Sequence, residues 1–448
     1  MGASLRRIGL LAVLGLPSCS LPAPAPDAGS GARSVEGEGV VPDAAAPATD
    51  RLTVDPAYEG KYEGDERLPR SLEELRRSLP RAAARLARRL GVEKPDLPPV
   101  VVVLRDAGRI PVGEGLGVME TTLRRNGSPP VAEVLVTAEA LLSGSYDIET
   151  CMAHELVHAL HLEAGAAGDA PPWMMEGLAH WLSRAGEGDL EEMVLFYAIS
   201  IRWWSEGKPS EWKKRPTLSG ALGTRTGIED MEDEGQRIAG TLLFHHLERV
   251  LGEEAFRTLA LRLLRERGAL PLLKEATGKT LDELLPEVRD GYLVWAEEVF
   301  RDRSAIEGAM AAVREGDLDR ALELTDAYLR GARESPLVPA VLYFRLINLS
   351  YAVGRPKEAL LAAGEFLRRH PRHPWVANAR LLEARAFREA GDRASARDRA
   401  RVLLRDFAWI DPEIGEEAGE ILAWAEEDGA AGTAGDAPEG DPPAGGGR

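Results

Sequence analysis

The sequence predicts an α+β domain, a small sheet beside several helices, followed by an all-α helical repeat. Three observations carry this. Two apolar runs, Val100–Leu104 and Val131–Val136, read as strands within a region otherwise dominated by helical periodicity. A glycine followed five positions later by a small residue recurs as Gly316/Ala321, Gly354/Ala359 and Gly391/Ala396, a period of about 37–38 residues that marks stacked helical units. Between the two regions lies His154-Glu155-Leu156-Val157-His158, whose histidines fall one helical turn apart. At 448 residues the chain exceeds one ordinary core, so two or more domains are expected.

From the start, Met1–Arg7 is short and basic, and the apolar stretch Ile8–Leu16 is too short to cross a bilayer as a helix. It leads into Leu16-Pro17-Ser18-Cys19, which resembles a bacterial lipoprotein signal. That resemblance implies a leader over 1–19 and lipidation at Cys19. The chain would then be anchored to a membrane of the bacterial cell envelope, periplasmic or outer-membrane associated. The alternative is an ordinary secretory signal and a secreted product. Residues 20–65 are rich in Pro, Ala, Gly and Asp and read as a disordered linker. Only Cys19 and Cys151 could pair, and a structural disulfide between leader and domain is not expected; Cys151 reads as a small apolar core residue.

The α+β domain is expected over 66–302. Ser71-Leu72-Glu73-Glu74 is a capping box opening a helix that reaches Leu90, with Pro80 kinking or dividing it and Gly91 ending it. Its arginines read as solvated. The Gly-rich stretch at Gly113, Gly115 and Gly117 reads as a loop or hairpin edge; with no Gly-Lys-Ser after it, it is not a phosphate loop. Helices follow from Asp147, then over Gln236–Leu251, Glu253–Glu266 and Leu281–Phe300, the last interrupted by Pro286. Three repeat units and a capping helix over Pro412–Trp424 fill 303–427, and 428–448 is a disordered tail.

The chemistry lies in the histidine helix. Residues four apart share a face, so His154 and His158 can offer two imidazoles to one metal ion, with Glu155 beside them to act on a water. Glu176, in Pro172-Trp173-Met174-Met175-Glu176-Gly177, supplies a third ligand from a second helix. Zinc held by three protein side chains keeps a fourth position for water and acidifies it, which suits catalysis more than structure. A net charge of −18 offers no field for phosphates, so nucleic acid is not an expected partner.

The segments "HELVHAL" and "PPWMMEGLAHWL", with the softer "GTLLFHHLERVLGEEAF" and "LLKEATGKTLDELL", resemble the gluzincins, zinc metallopeptidases with two histidines and a glutamate, in their peptidase-MA-like bacterial branch. The resemblance covers about residues 70–300. It implies a zincin-like fold, one Zn²⁺ per chain on His154, His158 and Glu176, Glu155 as general base, and a peptide or protein substrate. Relatives often carry a carboxylate at the position of His180, orienting a ligand imidazole; here a histidine would have to do so. His161 is expected to be solvated or to touch a ligand, and His246 to lie on the apolar face of its helix. The oxyanion donor stays open among His245, His246, Arg237 and Tyr197. Trp173, Trp181, Trp203 and Trp204 read as core or as walls of an aromatic substrate groove. The repeat resembles tetratricopeptide repeats, which implies either a partner-binding surface or a brace for the first domain. The competing reading of the whole chain is a catalytically degenerate peptidase fold that binds envelope partners through those repeats.

Overall fold

The computed structural model describes residues 52–106 (Pro56 apart), 119–124, 131–164, 170–184, 218–299 (Glu232 apart), 303–331, 335, 337–352, 354–373, 375–409 and 412–427. The leader with Cys19, the three glycines of the Gly-rich stretch, Tyr197, Trp203, Trp204 and the tail lie outside these residues. The described chain is mostly helical, with one small mixed sheet of four strands.

The strands are β1 (Leu52–Val54), β2 (Val100–Arg105), β3 (Met119–Arg124) and β4 (Val131–Thr137), in the order β1-β2-β4-β3. β1, β2 and β4 run parallel, with Leu52 opposite Val100 and Val100 opposite Ala132. β3 is the antiparallel edge, placing Thr121 opposite Val134. Two of the strands depart from expectation. β1 falls inside the expected linker, and Tyr62 just after it is buried, so order begins well before residue 66. β3 follows the Gly-rich stretch and was not legible as a strand, because Met-Glu-Thr-Thr-Leu-Arg has no apolar alternation.

Helix α1 (Leu68–Leu90) crosses between the parallel strands β1 and β2. It begins ahead of the expected capping box: Arg67 is the cap residue, Pro69 sits in the first turn and Ser71 is already helical. It also runs unbroken through Pro80. A mid-helix proline costs about 3 kcal/mol. Leu75, Leu79, Leu86 and Leu90 form a fully buried stripe on both sides of it, at about 1.5–3 kcal/mol each, and that stripe outweighs the loss.

The arginines of α1 are not simply solvated. Arg81 and Arg85 both reach Glu149, at 2.9 and 2.7 Å, and Arg89 reaches Glu248 at 3.0 Å. Spaced four apart, Arg81 and Arg85 tie α1 to one of the two helices that carry the site, and Arg89 ties it to a later helix.

Those helices are α3 (Ile148–Ala164), entered from the short α2 (Ala138–Ser143), and α4 (Pro172–Ser183). After them come α5 (Leu218–Ala221), α6 (Arg225–Glu229), α7 (Asp233–Leu251), α8 (Glu253–Arg265), α9 (Ala269–Thr277) and α10 (Leu281–Val299). α10 is continuous past Pro286, with Leu284, Leu285 and Val288 buried on either side of it. α4 lies against α7 at backbone contact: a β-carbon on Gly177 would overlap the Gly240 backbone, and one on Gly240 would overlap the Trp173 carbonyl. Only glycine at both positions permits this approach.

The repeat consists of α11 (Arg303–Arg314), α12 (Leu318–Gly331), α13 (Val338–Tyr351), α14 (Pro356–Arg369), α15 (Val376–Glu389), α16 (Arg393–Asp406) and the capping α17 (Pro412–Glu426). Gly316, Gly354 and Gly391 all take positive φ at the turn inside each pair, as their spacing predicts. The array is not a separate appendage. One apolar cluster runs from Tyr62 through the sheet domain to Ala386, and only the last unit with its cap forms a second cluster. The far end also curls back. Tyr62 donates to the Arg405 carbonyl at 2.9 Å, Arg67 pairs with buried Asp406 at 3.1 Å, and Trp409 packs on Tyr146, two residues before α3. No described helix is long and apolar enough to cross a membrane.

Candidate metal centre

Residues 152–161 of α3 are buried on every face, as is nearly all of α4. Into this shared core the two helices bring polar atoms. The Nε2 atoms of His154 and His158 lie 2.9 Å apart. Glu176 places Oε2 3.4 Å from His154 Nε2 and Oε1 3.2 Å from His158 Nε2. Both carboxylate oxygens are buried without a well-formed hydrogen bond. The sequence-derived trio is therefore brought together, and it is the one cluster of this kind among the described residues.

The trio fits a divalent cation. In a tetrahedral site with bonds of about 2.0–2.1 Å, neighbouring donor atoms stand about 3.3 Å apart, and one ligand atom from each of the three side chains lies within 4.8 Å of the other two. The donor set, two imidazoles and one carboxylate, is one zinc accepts. Burial works against ionisation of Glu176, yet His158 and His154 outweigh it and hold the carboxyl well below the usual range. Burial likewise opposes a charge on His158, and Glu176 reverses that and raises its pKa. Both shifts express one attraction, that between the Glu176 carboxylate and the neighbouring imidazoles.

Glu155 is 1% exposed. Its Oε2 accepts a 2.6 Å hydrogen bond from Thr121 Oγ1 on β3, while Oε1 is buried without a partner. Thr121 is a contact the sequence did not disclose, since nothing local marks a threonine on an unrecognised strand as facing a residue 34 positions away.

His180 is buried and packs edge-on against the His154 ring at 4.6 Å. It does not orient that ring by a hydrogen bond: His154 Nδ1 and His180 Nε2 are each buried without a partner. Burial, then the Arg237 guanidinium, hold His180 well below its ordinary pKa. His161 is not solvated. It is 1% exposed, with neither ring nitrogen partnered, and burial with the charge of His158 brings its pKa down to about 4. His246, expected on the apolar face, is half-buried, and it is His245 that is buried, against Trp181 and Trp295. Trp173 and Trp181 are core. A cavity of about 300 Å³ is lined by Trp181 and His245 together with Arg89, Arg184, Glu248, Arg249 and Glu253. Cys151 packs at the core margin, its thiol pushed up to about 12 by burial and by Asp147 and Glu155.

No protein-family model, curated protein or solved structure matches the chain.

Proposed function

We propose that the chain is a metal-dependent hydrolase. Within that class we read it as an exported zinc peptidase of gluzincin type, anchored to the bacterial envelope through Cys19. The observation that carries the proposal is the convergence of His154, His158 and Glu176 on one point, beside a carboxylate whose Oε1 has no other partner. His154, His158 and Glu176 would hold the cation, one per chain. When bound, zinc would acidify a water and polarise a substrate carbonyl. Glu155 would accept that water's proton and return it to the leaving amine. Peptides are the substrate class because of the motif resemblance and the export leader. The helix-and-sheet domain would accordingly be zincin-like and the array tetratricopeptide-like.

The repeats act in this reading as a brace. They share an apolar cluster with the first domain, and α13 is buried on nearly all sides, which leaves less surface for the competing scaffold role.

The test is hydrolysis of a casein-type substrate or peptide library by the purified chain, with and without chelator, alongside metal analysis. Glu155→Gln is expected to keep about one zinc per chain and to lower kcat by about 10²–10⁴-fold. Unchanged activity in that variant rejects the mechanism, and a metal-free, inactive wild type favours the scaffold.

A further inference from the structure

We propose that Thr121 is a positioning residue for the general base, dividing the two oxygens of Glu155 so that Oε2 is held and Oε1 alone carries the proton. The inference rests on the hydrolase reading above and adds an assignment that the histidine-glutamate motif does not contain.

Thr121 is 3% exposed and lies in the middle of β3, where its pairing opposite Val134 fixes the backbone. A β-branched side chain on a fixed strand has little χ1 freedom, so the hydroxyl is held in place before any substrate arrives. Its 2.6 Å distance to Glu155 Oε2 is that of a close O–H···O hydrogen bond. The same hydroxyl is 3.2 Å from the Glu155 main-chain carbonyl. A hydroxyl has one proton, and the shorter contact takes it.

The consequence is an asymmetric carboxylate. Oε2 is occupied by the Thr121 hydroxyl. Oε1 is equally buried and is left without a partner. In the reaction, an O–H bond of water breaks and its proton passes to Oε1. The freed electron pair becomes the new bond to the carbonyl carbon, whose C=O π pair moves onto oxygen and returns to re-form C=O as the amine leaves. When the C–N bond breaks, its pair stays on nitrogen, and Oε1 returns the proton there. The Thr121–Oε2 contact persists through both transfers, so the carboxylate need not rotate between them.

The experiment compares zinc-loaded, full-length wild type with Thr121→Val and Thr121→Ser, and with Thr121→Ala should the valine variant not fold. Steady-state kinetics, zinc content and crystal structures are measured for each. Thr121→Val is expected to lower kcat roughly tenfold to a hundredfold, with KM within about twofold and zinc per chain unchanged. Its Glu155 carboxylate should turn away from the wild-type orientation. Thr121→Ser, which keeps the hydroxyl, should recover most of the rate and the orientation. A valine variant as fast as wild type, a serine variant as slow as valine, or a Glu155 carboxylate unmoved by the loss of the hydroxyl would each overturn the proposal. If wild type hydrolyses nothing, the functional reading fails by itself, and the Glu155 orientation across the three structures still decides the role of Thr121.

Discussion

Helices α3 and α13 are both buried on nearly every face, yet they bury different things. In α13 the polar side chains within the buried stretch are satisfied locally: Asn348 donates to the Phe344 carbonyl and Ser350 to the Leu346 carbonyl, each at 2.8 Å. In α3, His154 Nδ1, Glu155 Oε1 and both nitrogens of His161 are buried without partners. An unpaired buried polar group costs about 1–3 kcal/mol, so α3 gives up stability that α13 keeps. Where one helix tolerates several such groups and also carries two members of the His154, His158 and Glu176 cluster, the arrangement points to something that binds there. The repeat contributes packing, and the site helix spends it.

This contrast can be broken most forcefully at the cation. His158→Ala should lower zinc from about one per chain to near zero by metal analysis. With zinc a thousandfold above its Kd, chelation should cost wild type about 4 kcal/mol of stability in thermal melts and leave the variant unmoved. Equal responses of the two proteins would remove the reason for the buried polar cluster.

The next largest effect separates two helical glycines. Gly177→Ala would drive a methyl into the Gly240 backbone, and about 3 kcal/mol or more should be lost in urea unfolding. Gly364, in α14, has open space around its β-position, so Gly364→Ala should gain about 0.5–1 kcal/mol. A tolerated Gly177→Ala would mean that α4 and α7 can part without loss.

His161 sharpens the comparison through pH. Its folded pKa is lowered to about 4 from 6.5, so the unfolded chain takes up the proton first as pH falls. The contribution of neutral His161 is complete above about pH 6.5 and is lost between there and about pH 4, at most about 3 kcal/mol. His161→Leu should therefore flatten the acid limb of a stability profile measured on metal-free protein. A profile identical to wild type would show that His161 titrates freely.

Much of this was readable before the fold. The meeting of His154 and His158 was readable because residues four apart share one face of a helix, and Glu176 because it sits early in the helix that begins at Pro172. The repeat was readable because a turn with positive φ calls for glycine once per unit. What stayed hidden was set by distant partners. Pro80 and Pro286 looked like breaks because local propensity cannot count the leucines buried on either side. The arginines of α1 looked solvated because Glu149 and Glu248 are about 60 and 160 residues away, beyond what any helical periodicity can relate.

The amino-acid sequence by itself determined the chemistry available: two imidazoles on one helical face, a carboxylate beside them, and another at the start of a later helix. Helical geometry converts spacing into direction without help from the rest of the chain. Only the tertiary structure decided which oxygen of Glu155 is held, that His180 packs on His154 without hydrogen-bonding to it, and that the repeat folds back onto the first domain. Those outcomes depend on a strand edge, a glycine-to-glycine helix contact and a continuous core, and each requires residues far apart in sequence to meet.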